Sequence, residues 1–251
     1  FVMSGVKPIF ADIKKDTLNI DEDAVESLIT DKTRAIVVVH YAGVGCEMDI
    51  LNKVSDKYSI PIIEDNAHGL FGEYKGKKLG TFSALSTLSF HETKNITCGE
   101  GGALIVNDKN YSERAEIIRE KGTNRSRFFR GQVDKYSWVD YGSSYLPSDI
   151  LAAFLYSQIE VSEYIQKKRE VLWDRYYKEL FEWADKNNVD LPYIPDYCKQ
   201  SFHMFYMVMP SLKERQSLIK YLNDKGITSA FHYLPLHLSS MGKKLSNSKL
   251  S

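Results

Sequence analysis

The sequence predicts an α/β protein built on a mostly parallel sheet, and three observations carry that expectation. Ala35-Ile-Val-Val-Val-His40 is a near-continuous β-branched run, the pattern of a strand buried on both faces. Ile60-Pro-Ile-Ile-Glu64 is a second short apolar run, and a helical pattern from Asp49 to about Tyr58 lies between the two. Strand, helix and strand joined by short connections make a βαβ unit, which sets neighbouring strands parallel.

Taken in order, Pro8 to Ala11 is a short strand candidate, and Asp21 is placed to cap a helix running to Leu28 with acids in its first turn. After the βαβ unit, capped by Asp49, the runs Thr87 to Phe90 and Ala103 to Val106 predict further strands, and Ser112 to Lys121 a helix. Gly122 to Tyr145 breaks the rhythm with arginines, serines, glycines and aromatics. It reads either as a solvated loop or as one that serves a site or a partner. Ser148 caps a long amphipathic stretch through Tyr177 and beyond, as one bent helix or two. Pro192 and Pro195 mark a boundary. Beyond it, a strand over Phe202 to Met209, a helix over Leu212 to Lys225 and a strand over Ile227 to Tyr233 predict a smaller α+β unit.

Composition narrows the function. The 251 residues are 43% hydrophobic and 26% charged, enough for a sizeable core. Lysine plus arginine balance aspartate plus glutamate at 33 each, which argues against a nucleic-acid surface or an anionic membrane as the main partner. No apolar run approaches membrane-spanning length and no signal peptide is visible. The three cysteines are odd in number with no CxxC spacing, as expected of reduced thiols in a cytoplasmic protein. Phe1 in place of Met, and a polar stretch from Gly242 to Ser251 that includes the non-terminal triplet Ser248-Lys249-Leu250, predict a piece of a longer chain.

The chemistry gathers at two strand ends. Leu88 to Ala103 brings an apolar strand to Ser89, His91 and Lys94, then a Gly-Glu-Gly-Gly turn. A lysine held at a strand end is where a carbonyl cofactor forms a Schiff base. The same residues also describe a solvated lysine beside an ordinary glycine turn. Glu64-Asp-Asn-Ala-His68 puts Asp65 and His68 beyond another strand, where open α/β sheets bind ligands. Asp65 reads equally as a turn or helix cap, and His68 as a satisfied, half-buried imidazole. A lysine and a carboxylate in one sheet suit a pyridine cofactor: the amine joins the carbonyl, and the anion keeps the ring nitrogen protonated.

Several pieces in order carry a resemblance: Val39-His-Tyr-Ala-Gly43, Glu64-Asp-Asn-Ala-His68, Gly80, Ser89-Phe-His-Glu-Thr-Lys94, Gly99-Glu-Gly-Gly102 and His232-Tyr-Leu-Pro-Leu-His237. From Phe1 to about Gly242 the chain resembles the nucleotide-sugar aminotransferases, fold-type I enzymes that use pyridoxal 5'-phosphate. The resemblance implies Lys94 as the Schiff-base lysine, Asp65 as partner of the pyridine nitrogen and Ser89 as a phosphate ligand. His68 stands where relatives have a glutamine and would donate to the ring hydroxyl. It also implies a large cofactor-binding domain within 1–150, connecting helices over 151–190, and part of a small C-terminal α+β domain over 191–251.

A narrower likeness, in Glu116 to Arg125, Phe128 to Tyr136 and Gly142-Ser-Ser-Tyr-Leu146, is to the branch that aminates dTDP-4-keto-6-deoxyhexoses for surface polysaccharide. It implies glutamate as amino donor and a 4-amino product of galacto form. Ser144 stands where relatives offer an asparagine from the neighbouring subunit, implying a homodimer with shared active sites. Arg125 and Arg130 would meet the nucleotide phosphates, and His232 and His237 the sugar. Relatives would also carry, before Phe1, a phosphate-binding turn and a stacking aromatic, and after Ser251 further strands and a helix. A related branch dehydrates its substrate with histidine in place of the lysine, and Lys94 argues against it. The remaining alternative is a binding protein of the same fold without turnover.

Overall fold

A computed structural model describes residues 1–247; the triplet Ser248-Lys249-Leu250 and Ser251 lie outside the described residues. The elements run α1 (Glu22–Ser27), β1 (Ile36–Val39), α2 (Met48–Tyr58), β2 (Ile62–Asp65), β3 (Glu73–Tyr74), β4 (Lys77–Lys78), β5 (Leu85–Ser89), β6 (Gly102–Val106), α3 (Ser112–Arg119), α4 (Arg125–Phe129), α5 (Asp149–Glu160), α6 (Ser162–Lys186), β7 (Cys198–Lys199), α7 (Leu212–Asp224) and α8 (Ser240–Asn247). The main sheet has the order β1-β2-β5-β6, with the first two pairings parallel and the third antiparallel. The mostly parallel sheet expected from the βαβ pattern is therefore present. A small antiparallel sheet, β4-β3-β7, was not legible because its strands are two residues long.

Register decides which face is which. Val38 lies beside Glu64 and Val39 beside Asp65, while Asp65 lies beside Thr87. Alternate side chains point to opposite faces. One face presents Ile36, Val38 and Ile62, buried against Val25 of α1 and Met48, Leu51 and Val54 of α2. The other presents Val37, Val39, Ile63, Asp65, Thr87 and Ser89. Here the structure corrects the sequence reading: β1 is not buried on both faces, since Val37 is 36% and Val39 41% exposed. A β-branched run reports strand propensity, and among the described residues α1 and α2 cover only one side.

The caps follow local chemistry. Asp21 accepts from the Asp23 amide at 3.1 Å, and Ser148 from the Leu151 amide at 3.3 Å, both as expected. Ser211 caps α7 by accepting from the Glu214 amide at 3.2 Å, and its hydroxyl donates to the Glu214 carboxylate at 2.7 Å. Asp49 is not the cap of α2. The helix starts one residue earlier behind Glu47, whose carboxylate accepts from the Tyr74 and Tyr197 hydroxyls, and Asp49 instead pairs with Lys75 at 2.6 Å. The long stretch after Ser148 is two helices, breaking at Val161.

Three expected strands do not form. Pro8 to Ala11 has no strand beside it; the nearest pairing is the single bridge from Ile13 to Ile20. Ile227 to Tyr233 pairs with nothing among the described residues. Phe202 to Met209 keeps only a bridge from Asp190 to Val208, because side chains of α6 occupy its carbonyls. Gln166 donates to Ser201 O at 2.9 Å, Arg169 to Phe202 O and His203 O at 3.3 and 3.2 Å, and Trp173 to Met204 O at 3.1 Å. Positions 166, 169 and 173 share one helix face, so a single stripe fastens the segment. The Gly122 to Tyr145 stretch is not a plain loop either: it contains α4, and Asn124 clasps it through Ser137 N and Lys135 O.

Among the described residues no helix is long and apolar enough to cross a membrane, and no group of three or more His, Cys, Asp or Glu is arranged to hold a metal ion.

Candidate active site

Because β1, β2 and β5 are parallel, the segments that follow them leave from one edge of the sheet. That edge brings together Tyr41, the run from Asp65 to His68, and the run from Ser89 to Lys94. The arrangement is the crevice at strand carboxyl ends where α/β proteins bind ligands.

Beneath it sits a buried carboxylate. Glu64 is 0% exposed and accepts from Gly80 N at 2.7 Å, Phe82 N at 2.8 Å, Ser83 N at 2.9 Å, Ser83 Oγ at 2.8 Å and His40 Nε2 at 2.9 Å. His40 Nδ1 in turn accepts from the Cys46 amide, which sets the proton on Nε2. Burial raises the Glu64 proton affinity, but His40, Ser83 and the Gly80 amide outweigh it and hold the carboxyl below the usual range. The cluster ties the turns after β1 and before β5 to the end of β2, and so fixes the strand on which Asp65 stands.

Asp65 Oδ1 accepts from Ala67 N at 3.1 Å in an Asx turn. Its charge favours the protonated form of Lys94, yet burial prevails and moves the Lys94 amine below the ordinary lysine value. The Ser89 hydroxyl accepts from His91 N at 3.4 Å, which leaves its own proton to donate. His68 Nδ1 accepts from Ala42 N at 3.3 Å, so Nε2 carries the proton, and Nε2 makes no hydrogen bond among the described residues.

Around His68 stand three more rings. His203 stacks on it with centroids 4.3 Å apart at 21°. Tyr41 and His232 lie 5.9 and 5.8 Å away, and the Tyr41 hydroxyl is 2.8 Å from His232 Nδ1. Burial, then the nearby Lys94 and His232, brings His68 down to about 4. Burial, then His68 and Lys94, brings His203 down to about 3. Both imidazoles are thus neutral near pH 6. Proton NMR of the imidazole C–H signals is expected to show two histidines that do not titrate between pH 5.5 and 8; two ordinary titrations for His68 and His203 would refute this geometry.

Gly43 closes the floor. Its φ is +88°, and a Cβ there would lie 1.8 Å from Ser201 Oγ and 2.9 Å from His68 O, the two atoms that hydrogen-bond to each other. Gly43→Ala is expected to cost about 3 kcal/mol from overpacking and left-handed backbone together. It should lower the thermal unfolding midpoint by roughly 6–12 °C, and an unchanged midpoint would contradict the packing.

The structure therefore gathers Lys94, Asp65, His68, Ser89 and His232. It places the others elsewhere. Arg130 makes a two-pronged pair with Glu116 at 2.9 and 2.6 Å. Arg125 lies over the Phe129 ring at 5.1 Å and lines a small pocket with Ser144, Tyr136 and Lys121. His237 meets Phe10 at 5.9 Å. Among the described residues none of these four shares a hydrogen bond, ion pair or ring contact with the Lys94 cluster. His203, Tyr41, Asn95 and Glu64 belong to the site or its support and carried no role in the sequence reading. His203 lies in a run with strand composition, while Tyr41 lies within the motif Val39 to Gly43 and Asn95 directly after the motif Ser89 to Lys94.

A family model described as the DegT/DnrJ/EryC1/StrS aminotransferase family matches residues 1–250. The chain is 36% identical over 249 residues to an uncharacterized protein of Methanocaldococcus jannaschii, covering 97% of this chain and 64% of the relative. It is 33% identical over 249 residues to the UDP-4-amino-4,6-dideoxy-N-acetyl-beta-L-altrosamine transaminase of Helicobacter pylori, covering 97% and 63%. The chain thus spans somewhat under two thirds of the curated relatives it matches. The fold is similar to a protein assigned as a sugar aminotransferase in Streptococcus pneumoniae, solved in its PLP form, with a TM-score of 0.85, 26% identity, and 97% of this chain and 66% of that one covered. The donor set fits that cofactor: a half-buried amine of lowered proton affinity, a carboxylate in its field, and an imidazole N–H with no partner among the described residues.

Proposed function

The chain belongs to the DegT/DnrJ/EryC1/StrS aminotransferase family and has the fold of its pyridoxal-phosphate enzymes, and from that premise we propose that it carries the catalytic centre of an aminotransferase acting on nucleotide-linked keto sugars. The observation behind this reading is the meeting of Lys94, Asp65 and His68 at one edge of the parallel sheet. Pyridoxal 5'-phosphate, when bound, supplies an aldehyde that takes up an amino group and a ring that withdraws electrons. Lys94 would be the residue to hold it covalently, since burial lowers its proton affinity and so favours the nucleophilic form of the amine. Asp65 would stabilise a protonated pyridine nitrogen, His68 Nε2 would donate to the ring hydroxyl, and Ser89 would donate to the phosphate. The free Lys94 amine would also be the group to move a proton at the substrate carbon.

The finer assignment takes glutamate as donor and a dTDP-4-keto-6-deoxyhexose as acceptor, with a galacto product, on the likeness of Glu116 to Arg125 and Gly142 to Leu146. Ser144 and Arg125 sit in a pocket apart from Lys94, which suits a homodimer in which they serve the partner's site. Arg125, without an ion pair among the described residues, is the better of the arginines for the nucleotide phosphates, with His232 and His237 toward the sugar. We place the reaction in the cytoplasm, where sugar nucleotides are made.

The test is an absorbance spectrum with pyridoxal phosphate before and after glutamate, followed by product analysis with dTDP- and UDP-linked 4-keto sugars. A visible band that glutamate removes supports the catalytic reading, and its absence at saturating cofactor sinks it. Turnover of the UDP sugar alone would overturn the dTDP assignment while leaving the aminotransferase intact.

A further inference from the structure

His203 has no part in the chemistry just described, yet it touches His68 and the residue that directly follows Lys94. Its ring stacks on His68, and its Nδ1 lies 3.0 Å from Asn95 Oδ1. Asn95 follows Lys94 directly and donates through Nδ2 to Gln166 Oε1 at 3.0 Å and Ser201 O at 2.6 Å. Those two bonds fix the amide orientation, so Asn95 Oδ1 faces His203 as an acceptor and His203 Nδ1 carries the proton. The main chain at His203 is held by Arg169, and α6 is tied to the same turn through Gln166. A further pair, Gln158 with Thr97, holds the turn's far end by bonds of 3.1 and 2.8 Å.

We propose that His203 is a positioning residue: its stacked ring fixes the plane of His68, and its hydrogen bond to Asn95 fixes the turn that presents Lys94. A stacked imidazole covers one face of its neighbour and leaves the ring edge available, so His68 keeps its Nε2 proton directed while its ring cannot rotate. The Asn95 bond does the same for the backbone beside the amine. The inference rests on the aminotransferase reading for the purpose of the two groups, though not for their geometry. The charged and titratable groups that face the pair are Lys94, Arg169, His232 and Tyr41, and Asp65 acts on Lys94.

Two substitutions separate the two contacts. His203→Phe keeps a stacking ring and loses the Asn95 bond; His203→Asn keeps a donor near Asn95 and loses the stack. Two readouts need no cofactor: the NMR titration of His68, and the rate at which Lys94 is acylated across pH, followed by mass spectrometry. With Asn, water reaches the ring face and His68 should bind protons about tenfold more tightly, one pH unit, with Lys94 unchanged. With Phe, His68 should stay low, while Lys94 acylation at pH 8 slows about threefold as the turn opens its amine to water. Both readouts moving together in both variants, or neither moving in either, would overturn the proposal. Because cofactor takes no part, shifts of this pattern in the two variants, together with no visible band when the wild type meets pyridoxal phosphate, would refute the aminotransferase reading alone.

Discussion

Lys94→Ala is expected to abolish the visible band formed with pyridoxal phosphate and to lower transamination by at least about 10³-fold, the upper part of the range for a lost proton-transfer group, here compounded by loss of the covalent anchor. Stability should not fall. Burial lowers the Lys94 proton affinity in the folded state, so the charged amine works against folding at neutral pH, and that penalty disappears only as the pH rises past the ordinary lysine value. Alanine removes the penalty along with the chemistry. The thermal midpoint is therefore expected to hold or rise slightly while the band vanishes. A band that persists in Lys94→Ala would put the cofactor on a different lysine, and a collapse of the fold would show that Lys94 serves structure.

Glu64→Ala carries the largest expected effect on stability. Five donors converge on this carboxylate: three main-chain amides, the Ser83 hydroxyl and the His40 imidazole. Truncation leaves them buried without an acceptor, at a cost of roughly 3–5 kcal/mol, or about 10 °C in midpoint for a chain of this length. Glu64→Gln keeps the shape and loses the charge, and should cost about 1–3 kcal/mol. The pH dependence follows in sign. The folded carboxyl sits below its unfolded value, so its contribution is full above the ordinary glutamate range and is lost as pH falls through the lower folded value. Thermal melts of the wild type should weaken below about pH 4.3, and those of Glu64→Gln should weaken less. Parallel acid profiles would show that the carboxylate does not carry this linkage.

Much of the sheet and its edge could be read from residues alone. Ile36 to Val39 and Ile62 to Asp65 are apolar, β-branched and separated by a helical pattern, so strand, helix and strand fell near their observed limits. Asp21 and Ser148 were readable as caps because a cap is a local bond. Lys94 and Asp65 could be paired in advance because parallel strands deliver their carboxyl ends to one edge. What escaped was decided by distant partners. Phe202 to Met209 has the composition of a strand, and only the stripe Gln166, Arg169 and Trp173, some 30 residues upstream, decides that its carbonyls go elsewhere. His203 escaped for the same reason. Glu64 looked like one acid before another, and register alone turns it into the core while Asp65 faces out. The second face of β1 escaped because a run of valines does not say what lies above it.

The stripe on α6 has an evolutionary consequence. A segment zipped into a sheet can shift only in steps of a whole register, and each step inverts every side chain. The segment around His203 is instead hung from single side chains, each replaceable by one codon change. Lengthening, shortening or charging one of those rungs would slide the ring over His68 by fractions of an ångström and leave the main sheet untouched. The position of that segment is thus set from a long helix remote in sequence from it.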